Sequence, residues 1–504
     1  MNITAPLFLG VDVGTESVRC GLFDGSGKCL NIAVAANKTY IPHPGWAEQD
    51  PKQIWNSFQE VVRRCIQESA VEKSRIKAMA VTATSVTVLC VDEHSEPMGK
   101  AILWMDTRAK EEADRINETQ HPVLRYVGGR VSPEWMLPKV LWLRNHRPAV
   151  YHKASHVVEI MDWLNFKLTG RWVLSMCTTS CEWNYSRPLG GWPIDLFEDL
   201  GVTDVIGKWP SDMLYMGEPI GRLSRQTSEQ LGLDEDTLVV TSGMDTYVAA
   251  LGVGVLQAGT VAMVLGNSSC YLTLSEKEQD IPGIFGPIPD AFTPDMWAYQ
   301  GGQTSAGSLI RWFGDTIVGG NGRRNSEGAV YQELDVLAQQ VPAGAEGLIM
   351  LDTWQGERTP SVFPNARGAL IGLSLKHTEA HMFRAFLEGV AYGARHIVDS
   401  FEESGMSIEV LHACGGGIRS KVWMQIYADV LRKPIYLSST PHCSSLGSAI
   451  CAASGFGYYK DLHEASRNMV SIAEKIYPEN TEVYKFSYEK YLALKKNLKQ
   501  HFWE

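Results

Sequence analysis

Short apolar segments separated by polar turns open the chain. Apolar residues dominate Phe8–Val13, Val18–Phe23 and Cys29–Ala35, and the breaks are Gly14-Thr15-Glu16 and Asp24–Gly27. Short apolar runs with glycine and aspartate between them predict a β-meander. A strand therefore follows the first glycine turn, whereas a Rossmann phosphate loop leads into a helix.

A similar strand–turn–strand unit occurs in the second half. Gly259–Leu265 and Cys270–Leu274 read as strands, and Gly266-Asn267-Ser268-Ser269 separates them. Two such units, roughly 250 residues apart, indicate a duplicated architecture of two related domains and not a solenoid. The chain is thus predicted to be an α/β protein with a domain boundary near residues 240–260 and a cleft between the domains.

Helical periodicity marks four longer segments. Apolar residues recur at helical spacing after Asp50-Pro51, and again in His381–Phe401, Lys421–Leu431 and Tyr484–His501. Proline is well tolerated in the first turn of a helix, so a helix is predicted to begin at Asp50-Pro51.

Composition narrows the class of protein. The chain has 504 residues, 44% hydrophobic and 20% charged, with a net charge of -11, which argues against binding nucleic acid or an acidic membrane. Its ten cysteines are scattered without a CxxC pair, and no signal peptide or membrane-length apolar run is evident. We expect a cytoplasmic enzyme.

Two motifs offer phosphate-binding turns. In Asp12-Val13-Gly14-Thr15 a carboxylate ends a strand beside a turn whose amides can face phosphate, and Asp12 can hold Mg²⁺ through water. Gly266–Ser269 offers hydroxyls and amides at a second strand break. An ordinary polar turn is the alternative in each case.

A glycine run, Gly415-Gly416-Gly417, lies between an apolar stretch and a predicted helix. Glycines let a flat group lie against the backbone, and a helix N-terminus favours phosphate, so a nucleotide is the natural guest. A flexible loop is the alternative. No Walker A, protein-kinase, HExxH or GxSxG motif occurs.

Two carboxylates are candidates for acceptor chemistry. Asp245, between a strand and a helix, can act as a general base in phosphoryl transfer, or it can be a helix N-cap. In Trp104–Arg108, read as extended, Asp106 can accept bonds from sugar hydroxyls while Arg108 holds it in place. A surface ion pair is the alternative there.

Together these segments resemble the FGGY family of carbohydrate kinases over roughly residues 7–455. The matching segments occur in the family's order: Gly10–Thr15, Pro44–Pro51, Trp104–Arg108, Asp162–Gly170, Gly243–Asp245, Gly266–Ser269, Gly356–Pro360 and Gly415–Ser420.

The resemblance implies an actin-like ATPase (ribonuclease H-like) fold of two duplicated domains around a deep cleft. Residues 1–245 would form the N-terminal, sugar-binding domain, residues 246–455 the C-terminal, ATP-binding domain, and residues 456–504 a helical extension. It also implies ATP as co-substrate with Mg²⁺, a small sugar or polyol as acceptor, no nucleic-acid or membrane partner, and allows a homodimer.

Carried over by position, Asp245 matches the family's catalytic base and Asp12 its metal-associated aspartate. The nucleotide-binding positions are Gly14, Thr15, Gly266, Asn267, Ser268, Gly415, Gly416 and Gln425. The substrate-binding positions are Thr84, Ser85, Asp106, Arg108 and Asp245. The chain departs from the family at Asn267, where a threonine is usual.

The substrate is a finer question. Ala83–Thr87 lacks the Met-His pair of xylulose kinases and the Arg-Glu pair of glycerol kinases, while Arg115–Gly129 and Leu137–Leu143 are more similar to ribulokinases. A pentulose such as ribulose is therefore expected, with a sugar alcohol such as ribitol or erythritol as the alternative. From other classes, an actin-like ATP-binding switch and an inactive sugar-binding relative remain open.

Overall fold

The computed structural model describes residues 5–318 and 329–503. These residues form two compact units. Unit 1 comprises the described residues of Met1–Leu256, Gly286–Ala298 and His442–Ser471. Unit 2 comprises those of Gln257–Phe285, Tyr299–Pro441 and Ile472–Glu504.

The strands are β1 (Leu7–Val13), β2 (Ser17–Asp24), β3 (Cys29–Ala36), β4 (Glu48–Gln49), β5 (Ile76–Ala83), β6 (Val88–Val91), β7 (Ala101–Ile102), β8 (His156–Glu159), β9 (Leu174–Ser175), β10 (Met213–Leu214), β11 (Pro219–Arg222), β12 (Leu238–Val240), β13 (Thr260–Leu265), β14 (Ser269–Ser275), β15 (Phe285–Pro289), β16 (Trp297–Gln303), β17 (Ile349–Leu351), β18 (Ala369–Ile371), β19 (Val410–Gly415), β20 (Ile435–Ser438) and β21 (Ile472–Ile476).

The α-helices are α1 (Pro51–Ser69), α2 (Lys110–Glu118), α3 (Met136–His146), α4 (Pro148–Lys153), α5 (Ile160–Thr169), α6 (Met176–Glu182), α7 (Ile194–Leu200), α8 (Arg225–Leu231), α9 (Asp245–Gly252), α10 (Gly307–Trp312), α11 (Ala329–Gln340), α12 (Glu379–Glu403), α13 (Lys421–Leu431), α14 (Cys443–Gly455), α15 (Leu462–Met469) and α16 (Lys485–Leu498).

Unit 1 is built on a six-stranded sheet in the order β11-β12-β5-β1-β2-β3. The strands β1, β2 and β3 form the predicted antiparallel meander. The strands β5 and β12 run parallel to β1, so the carboxyl ends of β1, β5 and β12 meet at one edge of the sheet. Ligands of open α/β sheets bind at the carboxyl ends of the strands, so a binding site is expected at this edge.

Helices cover the two faces of this sheet. The side chain of Asp50 caps α1 by accepting from the Lys52 amide, and the buried apolar stripe of α1 packs on β2 and β3. On β1, a Cβ at Gly10 would lie 1.8 Å from the Ser445 carbonyl oxygen of α14, so only glycine lets that helix approach so closely.

Unit 2 repeats this arrangement. Its sheet contains the strands β16-β14-β13-β19-β20-β21 in this order. The strands β13 and β14 form an antiparallel hairpin, β19 and β20 run parallel to β13, and β21 is antiparallel to β20. The hairpin and the parallel strands follow the same order as in unit 1, so the duplication predicted from sequence is present in the strand topology.

The units are defined by packing, and each gathers separate parts of the chain. Residues 442–471, with α14 and α15, belong to unit 1, while α16 belongs to unit 2. The division of the chain into 1–245, 246–455 and 456–504, and the roles given to those blocks, stay predictions, as does a homodimer. Within the described ranges, no helix is long and apolar enough to cross a bilayer.

Candidate functional site

Asp12 lies at the carboxyl end of β1 and pairs with a cation on the neighbouring strand. In the β1–β2 register it lies opposite Arg19, and Arg19 Nη1 donates to Asp12 Oδ2 at 3.0 Å. The Asp12 side chain is buried while Arg19 is partly exposed. Burial raises the pKa of Asp12, and the Arg19 guanidinium opposes that rise.

Asp245 is the first residue of α9, after β12. The helix N-cap is Met244 and not Asp245, so the alternative of a capping aspartate does not describe its position. The Asp245 Oδ1 atom accepts from the Thr246 amide at 2.7 Å and from the Thr246 hydroxyl at 3.2 Å. Both contacts lie on one carboxylate oxygen.

The segment before Asp245 is held by packing and hydrogen bonds. Ala83 of β5 bridges to Met244, and the Thr82 hydroxyl donates to the Gly243 carbonyl at 2.6 Å. A Cβ at Gly243 would lie 2.7 Å from the Cys177 sulfur, so this position has no room for a side chain. The backbone that presents Asp245 is therefore fixed from two sides.

The two aspartates act on each other electrostatically. Burial raises the pKa of Asp245 to about 7, and the neighbouring Asp12 carboxylate adds to the rise. Arg19 and the Thr246 groups oppose it. A carboxylate whose pKa lies near neutrality is suited to exchange a proton during a reaction.

The predicted first phosphate turn is cross-braced. Asn37 Nδ2 donates to the Gly14 carbonyl at 2.9 Å, and Gln49 Nε2 donates to the Thr15 carbonyl at 2.7 Å. The Trp104 indole donates to the Thr15 hydroxyl at 2.8 Å. The turn is thus held in a fixed conformation beside Asp12.

Thr84 and Ser85 continue from the end of β5 at the same edge. The Thr84 amide donates to the Val13 carbonyl at 3.1 Å, and its hydroxyl lies 3.0 Å from that of Thr87. The structure therefore brings Asp12, Thr84 and Asp245 to one edge of the unit 1 sheet.

Asp106 and Arg108 form the predicted pair, but not in an extended segment. The Asp106 amide donates to the Leu103 carbonyl at 3.0 Å, which makes residues 103–106 a turn. Arg108 Nη2 lies 2.7 Å from Asp106 Oδ2, and the Ala47 amide donates to the same oxygen at 2.6 Å. Asp106 is fully buried, so the pair is an internal ion pair and not the surface pair considered as the alternative. Its role in sugar binding stays a prediction.

In unit 2, Gly266, Asn267 and Ser268 form an exposed turn after β13. The Gly266 amide donates to the Ser268 carbonyl at 2.9 Å. The Gly307 amide at the start of α10 donates to the Gly266 carbonyl at 3.0 Å, and Arg311 Nη2 donates to Asn267 Oδ1 at 3.1 Å. The turn is anchored to the first turns of α10.

The glycine run lies next to that turn, because Leu265 of β13 pairs with Gly415 of β19. Gly415 has φ +95°, and a Cβ there would lie 2.4 Å from the Leu265 carbonyl oxygen. Gly416 has open space around it. Gln425 lies on α13, where its Nε2 atom donates to Asp429 Oδ1 and to the Tyr477 carbonyl.

Sequence reasoning missed two charged residues near the unit 1 edge. Arg19 could have been found by counting outward from the β1–β2 turn, since that register places it opposite Asp12. Lys139 is fully buried on α3 and donates to the carbonyls of Val86 and Leu103, each at 2.8 Å. A lysine inside the apolar stretch Leu137–Leu143 was the available signal.

Comparisons with known proteins place the chain in a family. The profile described as "FGGY family of carbohydrate kinases, N-terminal domain" matches residues 7–252, and that of the C-terminal domain of the same family matches residues 261–456. An "FGGY carbohydrate kinase domain-containing protein" of Xenopus laevis is 31% identical, with 98% of this chain and 97% of that protein covered. A ribulokinase of Bacillus licheniformis is 30% identical, with 96% and 93% covered.

A comparison with solved structures supports the same family. The crystal structure of xylulose kinase from Rhodospirillum rubrum matches with a TM-score of 0.87 and 28% identity, with 98% of this chain and 99% of that chain covered. With family profiles over most of its length and the duplicated sheets described above, the chain belongs to the FGGY family of carbohydrate kinases and has their actin-like ATPase fold.

Proposed function

We propose that this carbohydrate kinase transfers the γ-phosphoryl group of ATP to a primary hydroxyl of a pentulose such as ribulose, with Asp245 as the general base. The observation that carries the proposal is the Asp12–Asp245 pair at the carboxyl edge of the unit 1 sheet. Among the described residues, both hydrogen bonds to the Asp245 carboxylate go to Oδ1, so Oδ2 is proposed to receive the acceptor hydroxyl. A pKa of about 7 lets this group take up a proton and release it near neutral pH.

The turns with exposed backbone are proposed to hold the nucleotide. The Gly14 and Gly266 amides already donate within their own turns. The amides of Thr15 in unit 1 and of Asn267 and Ser268 in unit 2 would donate hydrogen bonds to phosphate oxygens, where charge develops during transfer. The open space at Gly416 suits a flat adenosine group, whereas the space beside Gly415 is filled by the backbone of Leu265. Gln425 lies on the helix that follows this run.

The residues at Asp12 fit a hydrated Mg²⁺ and not a protein-built cage. The described residues contain no group of three or more histidine, cysteine, aspartate or glutamate side chains placed to hold a metal. Mg²⁺ keeps several waters and usually takes one or two carboxylates together with substrate phosphates, and Asp12 can supply one of these carboxylates. When bound, the ion would neutralise phosphate charge in the transfer.

A pentulose is favoured by the relatives. The Bacillus licheniformis protein is named a ribulokinase and the Rhodospirillum rubrum protein a xylulose kinase. Both names denote kinases of five-carbon ketoses. The polar side chains of Thr84 and Ser85, close to Asp245 at the same sheet edge, would contact the acceptor.

The test is ADP release by the purified protein over a panel of ribulose, xylulose, ribitol, erythritol and glycerol. Strong turnover with ribulose, and phosphorylation of a primary hydroxyl shown by NMR of the product, are expected. Turnover on ribitol or erythritol alone would move the substrate to a sugar alcohol. ADP release that ignores every acceptor would contradict the proposal and favour an ATP-binding switch.

A further inference from the structure

A row of buried polar side chains in unit 2 leads from the turn Gly266–Ser268 to the helix α16. The Ser269 hydroxyl, directly after the turn, donates to Gln303 Oε1 at 2.8 Å, and Gln303 Nε2 donates to Asp352 Oδ2 at 2.6 Å. The Tyr491 hydroxyl of α16 donates to the other oxygen of Asp352, Oδ1, at 2.6 Å. All four side chains are buried. Hydrogen bonds therefore join α16 to the end of the turn.

Gln303 is the central member of this row, and its amide is used at both ends. Its Nε2 atom also donates to the Val390 carbonyl at 2.9 Å, and its Oε1 atom also accepts from the Tyr271 hydroxyl at 3.0 Å. A carbonyl can only accept, so the amide nitrogen must face Val390 while the amide oxygen faces the hydroxyls. An amide has two donor and two acceptor positions, and all four are taken. Gln303 is therefore held in one orientation.

The backbone that follows Gln303 holds the turn in place. The amides of residues 306–308 donate to the carbonyls of Gly266 and Asn267 at 2.9–3.0 Å. A peptide group is planar, and its N–H points away from its C=O. Contacts that fix these two carbonyls therefore also aim the amides of Asn267 and Ser268, which lie in the same peptide planes. A shift of Gln303 would move this backbone and change the direction of the amides.

A second set of contacts joins the same end of β16 to α16. The Thr359 hydroxyl accepts from the Gly302 amide at 2.7 Å and donates to the Gly302 carbonyl at 2.9 Å. Two residues earlier, Glu357 forms an ion pair with Lys495 of α16. Both residues belong to Gly356–Pro360, a segment that resembled the family in sequence but had no assigned role. The helix α16 is thus connected to the end of β16 by two separate routes.

A glycine in the middle of α12 makes room for the central hydrogen bond of the row. A Cβ at Gly393 would lie 2.2 Å from Asp352 Oδ2 and 2.4 Å from Gln303 Nε2. Glycine weakens a helix relative to alanine, so a buried glycine inside a helix points to a packing requirement. The helix α12 packs directly on this hydrogen bond. A displaced Asp352 has no space toward α12, and its movement is passed on to Gln303.

We propose that Tyr491 of α16 is a positioning residue for nucleotide binding. It acts through Asp352 and Gln303, and it keeps the amides of the turn Gly266–Ser268 aimed at phosphate before ATP arrives. The inference rests on the proposed function, in which this turn binds the nucleotide. Donors that are already aimed bind a ligand more tightly, because less ordering is needed on binding. The helix α16 thus contributes to ATP affinity from outside the nucleotide site.

The first experiment compares Tyr491→Phe with Tyr488→Phe in the full-length protein. Each change removes one tyrosine hydroxyl from α16, and the Tyr488 hydroxyl donates to Asp399 at 2.8 Å and not to the row described above. A similar fall in Tm is expected for both. Only Tyr491→Phe is expected to raise the Kd for ADP with Mg²⁺, about threefold to tenfold by calorimetry, because only its hydroxyl leads to the turn. The KM for the acceptor should stay unchanged in both.

The second experiment adds Tyr491→Phe to a Gln303→Leu variant, in which the row is broken at its centre. Gln303→Leu alone is expected to raise the Kd for ADP about tenfold, because the backbone that holds the turn loses its anchor. Adding Tyr491→Phe should then change the Kd by less than about twofold, since the connection is already cut. Effects that multiply would show that Tyr491 does not act through Gln303. If Gln303→Leu does not fold, the comparison of the two tyrosine variants decides the proposal.

The outcomes separate this inference from the proposed function. A Kd for ADP that is the same in Tyr491→Phe and the wild type, or that rises equally in both tyrosine variants, would overturn the positioning role and leave the kinase proposal intact. A wild type that binds ADP but phosphorylates no acceptor of the panel would contradict the kinase proposal, and the Kd values would still decide the role of Tyr491. A wild type that does not bind ADP would overturn both.

Discussion

The sheets of the two units have the same strand order, but the residues at the carboxyl ends of their strands differ in chemical character. In unit 1 the hairpin strand β1 ends at Asp12, and the parallel strand β12 leads to Asp245. In unit 2 the corresponding strand β13 leads into Gly266–Ser268, and β19 ends at Gly415. The first edge presents buried carboxylates, and the second presents exposed, uncharged backbone.

This difference shows that the sheet topology determines where a binding loop lies, whereas the residues in the loop determine what it can bind. Carboxyl ends of parallel strands meet at one edge in both sheets, so any loop there is placed for a ligand. Carboxylates suit a hydroxyl that must lose a proton, whereas amides in glycine turns suit phosphate, which carries its own negative charge. The duplicated scaffold thus supports two unlike binding surfaces, and each can be tested by giving it the character of the other.

The largest effect is expected from Asp245→Asn, which replaces the Asp245 carboxylate by an uncharged amide of nearly the same shape. The kcat should fall at least ~10²-fold, the usual scale for loss of a general base. The KM for ATP should change little. The measurement is steady-state ADP release with ribulose.

Asp195→Asn is a suitable control for this variant, because Asp195 lies on α7 of the same unit with an exposed side chain. Circular dichroism checks that both variants fold. Near-normal turnover by Asp245→Asn would reject the residue as the base.

The reverse change, Asn267→Asp, places a carboxylate on the uncharged edge of unit 2. A negative charge beside polyphosphate is repelled, so the KM for ATP should rise about 10–100-fold while the KM for the acceptor stays the same. Asn267→Thr is the matched control, since it gives the turn the residue usual in the family and adds no charge. An ATP affinity that is equal in the two variants would remove this turn from the nucleotide site.

A smaller effect is expected when the pH is varied, because the pKa of Asp245 predicts how the kcat/KM for the acceptor depends on pH. Its pKa of about 7 means that kcat/KM for the acceptor should rise about tenfold per pH unit up to pH ~7 and then level off, because only the ionised form accepts a proton. The free energy of unfolding should change in the opposite direction and decrease as the pH rises. A raised pKa favours the protonated folded state, so this contribution is present at low pH and is lost as pH rises through 7.

This pH dependence of stability can be tested by comparing the Tm of Asp245→Asn with the Tm of the wild type. The two should agree near pH 4, and the variant should be the more stable at pH 8, where the wild type must bury an ionised carboxylate. A gap that is constant across this range would mean that Asp245 titrates normally.

Much of the fold could be predicted from sequence because it depends on local patterns. The meander of β1, β2 and β3 follows from alternating apolar runs and turns, and the predicted helix Lys421–Leu431 has the observed bounds of α13. The hairpin of β13 and β14 was visible in the same way. The packing of α14 against β1 was not, because contacts between residues far apart in the chain leave no local pattern.

The candidate site shows the same limit. Motifs found Asp12, Thr15 and Asp245, since each lies at a strand end marked by glycine. They did not show that Asp106 is enclosed by protein groups, because burial depends on how distant segments pack.

The smallest catalytic effect is expected from the glycines of unit 2, compared as a pair. Gly415→Ala forces a side chain into a left-handed conformation and against the Leu265 carbonyl, so it should cost about 1–3 kcal/mol of stability and raise the KM for ATP about threefold to tenfold. Gly416→Ala meets no atom within 4 Å and should keep the wild-type Tm. The KM for the acceptor should be unaffected in both, because the change lies on the nucleotide edge. If Gly416→Ala alone weakened ATP binding, the nucleotide would lie against Gly416, and the open space there would be a binding surface and not merely a tolerant one.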